Sequence, residues 1–182
     1  MVELNSRSEP TVRPDGAVME IRESGPDDLA AVLGLFDAAV AWLVARGSAG
    51  QWGTEPWSAD PAKVERVRTM LREGRPFLAT SDGAPVGALI LDHPLPYTPP
   101  VDEPEVYVTL LLASREHRGV GARLLEFARQ DARARGIGLL RVDCWAGGDG
   151  KLVRYYESQG FTPTERARVR DDVWVQIFEQ RV

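Results

Sequence analysis

Gly119 and Gly121 stand two apart in the run SREHRGVGARLL (residues 114–125), where an apolar, strand-like stretch gives way to helix-period residues. A glycine-bearing turn at a helix start offers several backbone N–H groups with no Cβ in the way. Such a turn accepts phosphate oxygens and has the helix dipole behind it. Charge points the same way. From residue 115 to residue 135 six arginines stand against three acids, a local +3 in a chain of net charge −5. Arg115 and Arg118, in the turn itself, are read as phosphate ligands. Arg129, Arg133 and Arg135 are read as solvating the outer face of the helix.

Other groups capable of chemistry are few. Cys144, in Asp-Cys-Trp, has no histidine near it in sequence and reads as a small buried hydrophobe rather than a nucleophile. His93 and His117 are the only histidines, and no Cys/His cluster has ligand spacing, so no metal site is expected. The phosphate-binding loop Gly-x-x-x-x-Gly-Lys-Ser/Thr and the three-glycine dinucleotide fingerprint are both missing, which argues against a nucleotide-binding domain.

The elements that must position these residues can be read in order. Residues 1–17 are polar and aperiodic, and a disordered leader is expected. Residues 18–22 form a short strand. Ser24-Gly-Pro-Asp-Asp opens a helix over 26–46, with Leu29, Val32, Leu33, Phe36, Val40 and Leu43 at helical spacing; Trp42 falls on the same pattern and reads as core. A loop over 47–59 carries Trp52 and Trp57. Asp60-Pro61 caps a second helix ending at Gly74. Strands 77–81 and 86–91 flank Asp82-Gly83, a hairpin signal. Residues 93–104 hold five prolines and read as a stiff loop. The segment 106–112 is a strand, 119–135 a helix, 139–144 a strand, 150–159 a short helix, and 161–169 with 173–178 a closing hairpin. The expected fold class is α/β (α+β), with a mixed, mostly antiparallel sheet flanked by helices in a single domain over 18–182.

Two motifs in this order carry a family likeness. Arg-Gly-x-Gly entering a helix at 118–121, and Tyr156-Glu-Ser-Gln-Gly160-Phe161 ending a later one, resemble the GNAT superfamily of acyl-CoA N-acyltransferases, bacterial type. The close likeness covers about a third of the chain, and the element order of the remainder is similar to that fold. The resemblance implies that Gly119, Val120, Gly121 and Ala122 hold the pyrophosphate of coenzyme A, with Arg115 and Arg118 beside them. It implies that pantetheine lies along Leu111, Leu112 and Ala113, where a backbone N–H faces the thioester oxygen. Tyr156 falls where the family places a tyrosine near the sulfur, as acid for the leaving thiolate. Tyr155, about 100° away on the helix, reads as core. Glu105 falls where histone-acetylating relatives carry a glutamate base, with Asp92, His93 and a water as alternatives. Asp149 stands where the family motif opens on asparagine, at the cofactor. Glu116 stands where Gln or Arg is usual; a turn shorter by two residues, with Arg115 supplying the charge, is the other reading.

The acceptor site is expected from Trp52, in a Gly-x-x-x-Gln-Trp stretch, and from Tyr97 with Asp102 and Glu103 in the proline-rich loop. Aromatic rings and carboxylates suit a cationic amine. A subunit contact, in a homodimer, is the other use of that loop. The implied activity is transfer of an acetyl group from acetyl-CoA to the primary amine of a small-molecule or amino-acid-like acceptor. A non-catalytic acyl-CoA sensor on the same fold is the alternative.

Bulk properties bound these expectations. At 182 residues, 43% hydrophobic and 27% charged, the chain has the profile of one globular domain. An acidic balance gives no support for nucleic-acid binding. One cysteine excludes an intrachain disulfide and, with no apolar leader or spanning stretch, makes the cytoplasm the expected location and a membrane partner unexpected.

Overall fold

The structure is a computed structural model that describes residues 11–12, 18–48 and 50–182. Most of the expected leader therefore lies outside the described residues. Within it, Thr11–Val12 (β1) pairs antiparallel with the start of Val18–Glu23 (β2). After β2 come a 3-10 turn Pro26–Asp28 and the helix Leu29–Val44 (α1), then the helix Pro61–Glu73 (α2). The strands Arg75–Ser81 (β3), Ala84–Asp92 (β4) and Glu105–Ala113 (β5) follow. The helix Val120–Ala134 (α3), the strand Leu139–Trp145 (β6) and the helix Lys151–Ser158 (α4) lead to the hairpin Thr162–Arg170 (β7) and Val173–Arg181 (β8). Among the described residues the strands form one sheet in the order β1-β2-β3-β4-β5-β6-β8-β7. Only β5 and β6 run parallel; the other neighbours are antiparallel, as the expected fold class requires.

Each helix starts where its sequence says it should. Asp60 accepts from the N–H groups of Ala62 and Lys63 ahead of Pro61, so α2 opens with a satisfied first turn. Ahead of α1, Asp28 holds Arg22 through both carboxylate oxygens, at 2.7 and 2.9 Å, and accepts from Ser24 and the Gly25 N–H. The start of α1 is thereby tied to β2. The inner face of α1 buries Val32, Leu33, Phe36 and Val40, at the expected spacing.

Two apolar layers cover the sheet. On one face α3 and α4 pack over β4–β6 and β8, with Leu89, Val106, Val108, Leu124, Leu125, Tyr156 and Phe178 among the buried residues. On the other, α1 and α2 pack over Leu78, Ala88, Ile90, Leu110 and Leu112. β5 contributes to the first layer through Val106 and Val108, then to the second through Leu110 and Leu112, so the alternation slips by one residue. The pairing shows why. Leu91 faces Val108 and Ile90 faces Leu110, leaving Thr109 without a partner in β4. This is a β-bulge, and its hydroxyl is bonded to the Ile90 carbonyl at 3.1 Å.

Candidate active site

The bulge coincides with a parting of strands. β5 and β6 pair only from Glu105–Leu139 to Val108–Val142. Beyond that rung, Asp143, Cys144 and Trp145 continue on β8 while β5 stays on β4. The result is a V-shaped gap between residues 109–113 and 143–145. The Ser114 N–H donates to the Val86 carbonyl at 2.8 Å. Because antiparallel partners exchange hydrogen bonds at alternate residues, Leu112 and Leu110 also face β4. The N–H and C=O groups of Leu111 and Ala113 then point the other way, into the gap. Leu112 is a correction: its backbone is engaged with Ala88 and its side chain is buried, so it is not available along the gap.

The arm of β5 ends in the glycine turn. Gly119 is the N-cap of α3 with φ +81°, a conformation that favours glycine, and no side chain caps the helix. The first N–H groups of α3 are left open to an anion. The turn is held down from beneath by Gly87 of β4, where a Cβ would lie 2.6 Å from Val120 and 2.9 Å from the Leu112 carbonyl oxygen. Gly121 is equally constrained: a Cβ there would meet the Tyr155 hydroxyl at 2.5 Å. Tyr155 is thus not simply core. Its phenol stands against the turn, with burial raising its pKa and Arg115 and Arg129 opposing.

Arg115 and Arg118 are exposed around the turn, and Glu116 is exposed with its N–H on the Ser114 hydroxyl. The Arg115 guanidinium lies 4.5 Å from the ring centre of Trp42, which Arg46 also covers at 4.0 Å. Trp42 is therefore a bridge from α1 to the turn, its ring in contact with two guanidinium groups, and not part of the core its spacing indicated. Arg129 departs from expectation too. It is only 11% exposed and donates to the Gln159 carbonyl and to Gln180, clamping α3 to the end of α4 and to β8. Arg133 and Arg135 are solvated, as their spacing implied.

Tyr156 lies on the opposite wall, 5% exposed, among Tyr155, Phe161 and Phe178. Its hydroxyl makes no hydrogen bond to another described residue. Burial raises its pKa well above that of an ordinary phenol, with Cys144, Tyr155 and Asp143 adding to the shift. It stays protonated at all physiological pH. The neighbouring Cys144 is pushed up to about 12 by burial and by Asp143, which makes it inert as a thiolate nucleophile.

Glu105 is not brought to the gap. It sits on the closed end of the β5–β6 pair, four residues and about 13 Å along the strand from the bulge. Its carboxylate is bonded to Arg141 at 3.2 Å. Arg141, 3% exposed, also donates to the Pro99 carbonyl and so anchors the proline-rich loop. Asp92 and His93 share a cavity of about 260 Å³ with Glu105 at this same closed end, away from the gap. Asp149 is occupied in another way: it accepts from the Lys151 N–H at 3.0 Å and pairs with the Lys151 ammonium, fixing the first turn of α4. Trp52 packs on Phe36 and Trp57 at the margin of the α1–α2 layer, and its carbonyl accepts from the Trp57 indole. It holds the loop and is not placed in the gap.

Tyr97 does reach the gap. Its hydroxyl donates to Asp143 at 3.2 Å, and that of Tyr107 donates to the same oxygen at 2.7 Å. Thr98 in turn donates to the Tyr107 oxygen. Asp143, the first β6 residue past the last shared rung, was not singled out from the sequence. Burial raises its pKa, and the two phenols oppose the shift. Trp145, the last residue of β6, has its indole against Gly147 and against Gly50, where a Cβ would be 2.6 Å away.

A parted parallel pair, an uncapped glycine turn on one arm and a buried tyrosine on the other wall together make up the candidate site. The family model of the Acetyltransferase (GNAT) family matches residues 38–161, and the chain belongs to that family. Its fold is similar to the GNAT domain of S. lividans PAT, with TM-score 0.69 and 19% identity over 100% of both chains. It is also similar to yncA, a putative acetyltransferase from Salmonella typhimurium solved with its cofactor acetyl-CoA, with TM-score 0.58, 17% identity and 90% and 93% of the two chains covered. A ribosomal-protein-alanine N-acetyltransferase from Brucella melitensis aligns with TM-score 0.58 and 18% identity over 89% and 99% of the chains. No functionally curated protein matches the sequence. Among the described residues no helix is long and apolar enough to cross a membrane, and no group of side chains could hold a metal ion.

Proposed function

We propose that the protein is an acetyl-CoA-dependent N-acetyltransferase acting on the primary amine of a small acceptor by direct transfer. The observation that carries this reading is the gap itself. It has backbone groups of Leu111 and Ala113 turned away from β4 along one arm, leading to an uncapped helix start, and the buried phenol of Tyr156 on the facing wall. The thioester supplies an acyl group activated toward attack by nitrogen. The N–H of Leu111 or Ala113 donates to the carbonyl oxygen as it gains charge, a contribution of a few kcal/mol in sites of this kind. The open N–H groups of α3, with Arg115 and Arg118, hold the phosphates.

Tyr156 donates its hydroxyl to the departing sulfur. Its raised pKa makes it a hydrogen-bond donor that is never lost to ionisation, at the cost of a weaker driving force for complete proton transfer. Removing that donor should lower turnover by ten- to a hundredfold and leave acetyl-CoA affinity within about twofold. Release of free thiol from acetyl-CoA, measured on Tyr156→Phe at saturating amine, tests this; undiminished turnover would remove Tyr156 from the chemistry.

A further inference from the structure

Asp143 is a carboxylate with no ion-pair partner among the described residues, half-buried beside the gap where acyl transfer is placed. A carboxylate drawn partly out of water is ordinarily paired with a cation, because desolvation penalises its charged form. Glu105, at the far end of the shared rungs, has as its arginine Arg141, two β6 residues from Asp143; Asp143 has only two phenols, both on Oδ2. Its Oδ1 makes no hydrogen bond to a described residue. The strand alternation sends Asp143 to the face of Arg141 and Trp145, away from Cys144 and Tyr156. Anion and phenol donor therefore flank the gap from its two faces.

We infer that Asp143 is the seat of the acceptor: its free oxygen binds the ammonium of a cationic primary amine and takes the proton that makes the nitrogen nucleophilic. The inference rests on the acetyltransferase reading above. The amine lone pair bonds to the thioester carbonyl carbon, and the C–S bond breaks with its electron pair on sulfur. One nitrogen proton has gone to Asp143, and thence to solvent. A second, lost as the amide forms, balances the thiol through the Tyr156 hydroxyl. Tyr97 and Tyr107 are positioning residues, holding Oδ2 and leaving Oδ1 for the amine, with their rings beside the cation.

The titratable and charged groups around Asp143 are Tyr97 and Tyr107, Cys144 and Tyr156 across β6, Arg66 near Tyr97, and Arg141 on the same face of β6, which lies over the Tyr107 ring and is paired with Glu105. Both phenols are raised by burial, Cys144 is pushed up to about 12 and burial holds Tyr156 well above an ordinary phenol, so none of them titrates near neutrality. An acid limb in kcat/KM is therefore assigned to Asp143.

The test uses phenethylamine, spermidine and L-lysine as acceptors, with thiol release from acetyl-CoA as readout. Asp143→Asn should bind acetyl-CoA within about twofold of wild type and lose amine-dependent turnover by at least about a hundredfold. Tyr97→Phe, which leaves the carboxylate in place, should move the acid limb upward by about half a pH unit, since a donor to the charged form is lost. Wild-type turnover in Asp143→Asn, or an unmoved limb in Tyr97→Phe, overturns the assignment. So does a wild-type protein that binds acetyl-CoA yet acetylates none of the three amines. Failure of wild type to bind acetyl-CoA is a different outcome, and it would remove the acetyltransferase reading itself.

Discussion

Gly121 has no room for a methyl group because the Tyr155 hydroxyl lies where its Cβ would be. The tyrosine is half-buried against the α3–α4 layer and cannot simply swing away. Gly121→Ala should therefore lower stability by about 1–3 kcal/mol and weaken acetyl-CoA binding through a displaced turn. Tyr155→Phe in the same chain removes the obstructing oxygen and should recover most of both losses. Thermal melts and titrations of the two variants check the pair, and an additive double variant would mean that the contact does not govern the turn. Tyr155 was legible in sequence only as the neighbour of a motif tyrosine. Helical geometry turned it from the motif position, but the third element it meets, the start of α3, is more than thirty residues away. Asp143 was missed for a similar reason. Its partners lie 36 and 46 residues upstream, and the one local signal was a pair of charges, Arg141 and Asp143, at alternate positions of a strand whose other residues are apolar.

Among the elements, the contact that matters most is α3 against β4. Gly87 lets the first turn of α3 settle onto the sheet, and the obstacle to a side chain there includes a backbone oxygen that cannot give way. In Gly87→Ala the helix start should lift, with stability falling by about 1–3 kcal/mol and acetyl-CoA affinity by more than tenfold. Calorimetry on the folded variant measures the second effect, and unchanged affinity would detach the helix start from phosphate binding. The helices and their ends were readable in advance because capping residues, prolines and 3.6-residue periodicity are local signals. The bulge at Thr109 was not. It lies inside Val-Tyr-Val-Thr-Leu-Leu-Leu, where both faces are apolar and a slip of one residue leaves no mark on the pattern. That slip decides which backbone groups of residues 111–113 face the gap, so Leu112 was assigned a role that its pairing denies it. Trp42 shows the same limit: helical spacing gave its position on α1 but not the two arginines that receive it.

For the whole molecule, two carboxyl groups pull stability in opposite directions with pH. Asp28 is lowered to about 2, chiefly by its hydrogen bonds from Arg22, well below an unfolded value near ~3.9. Its contribution is complete above about pH 4 and is lost as pH falls toward 2. Asp28→Asn should lower stability at pH 7 by about 1 kcal/mol, after allowing for solvent screening of the exposed arginine, and flatten the loss of stability below pH 4. Asp143 is raised, so it detracts from stability once pH climbs above the unfolded carboxyl value. Asp143→Asn should melt no lower than wild type at pH 7 while losing activity. Denaturant melts across pH 2–8 would show both effects, and a variant at Asp143 that melts far below wild type would mean the carboxylate serves the fold.

Acetyl-CoA binding is the claim on which the rest depends. Calorimetric titration of the purified protein with acetyl-CoA, alongside ATP and NAD, tests it most directly. Selective binding in the micromolar range, with neither nucleotide competing, is the expected result. Binding of ATP or NAD without acetyl-CoA, or of none of the three, would contradict the assignment of the gap and its glycine turn.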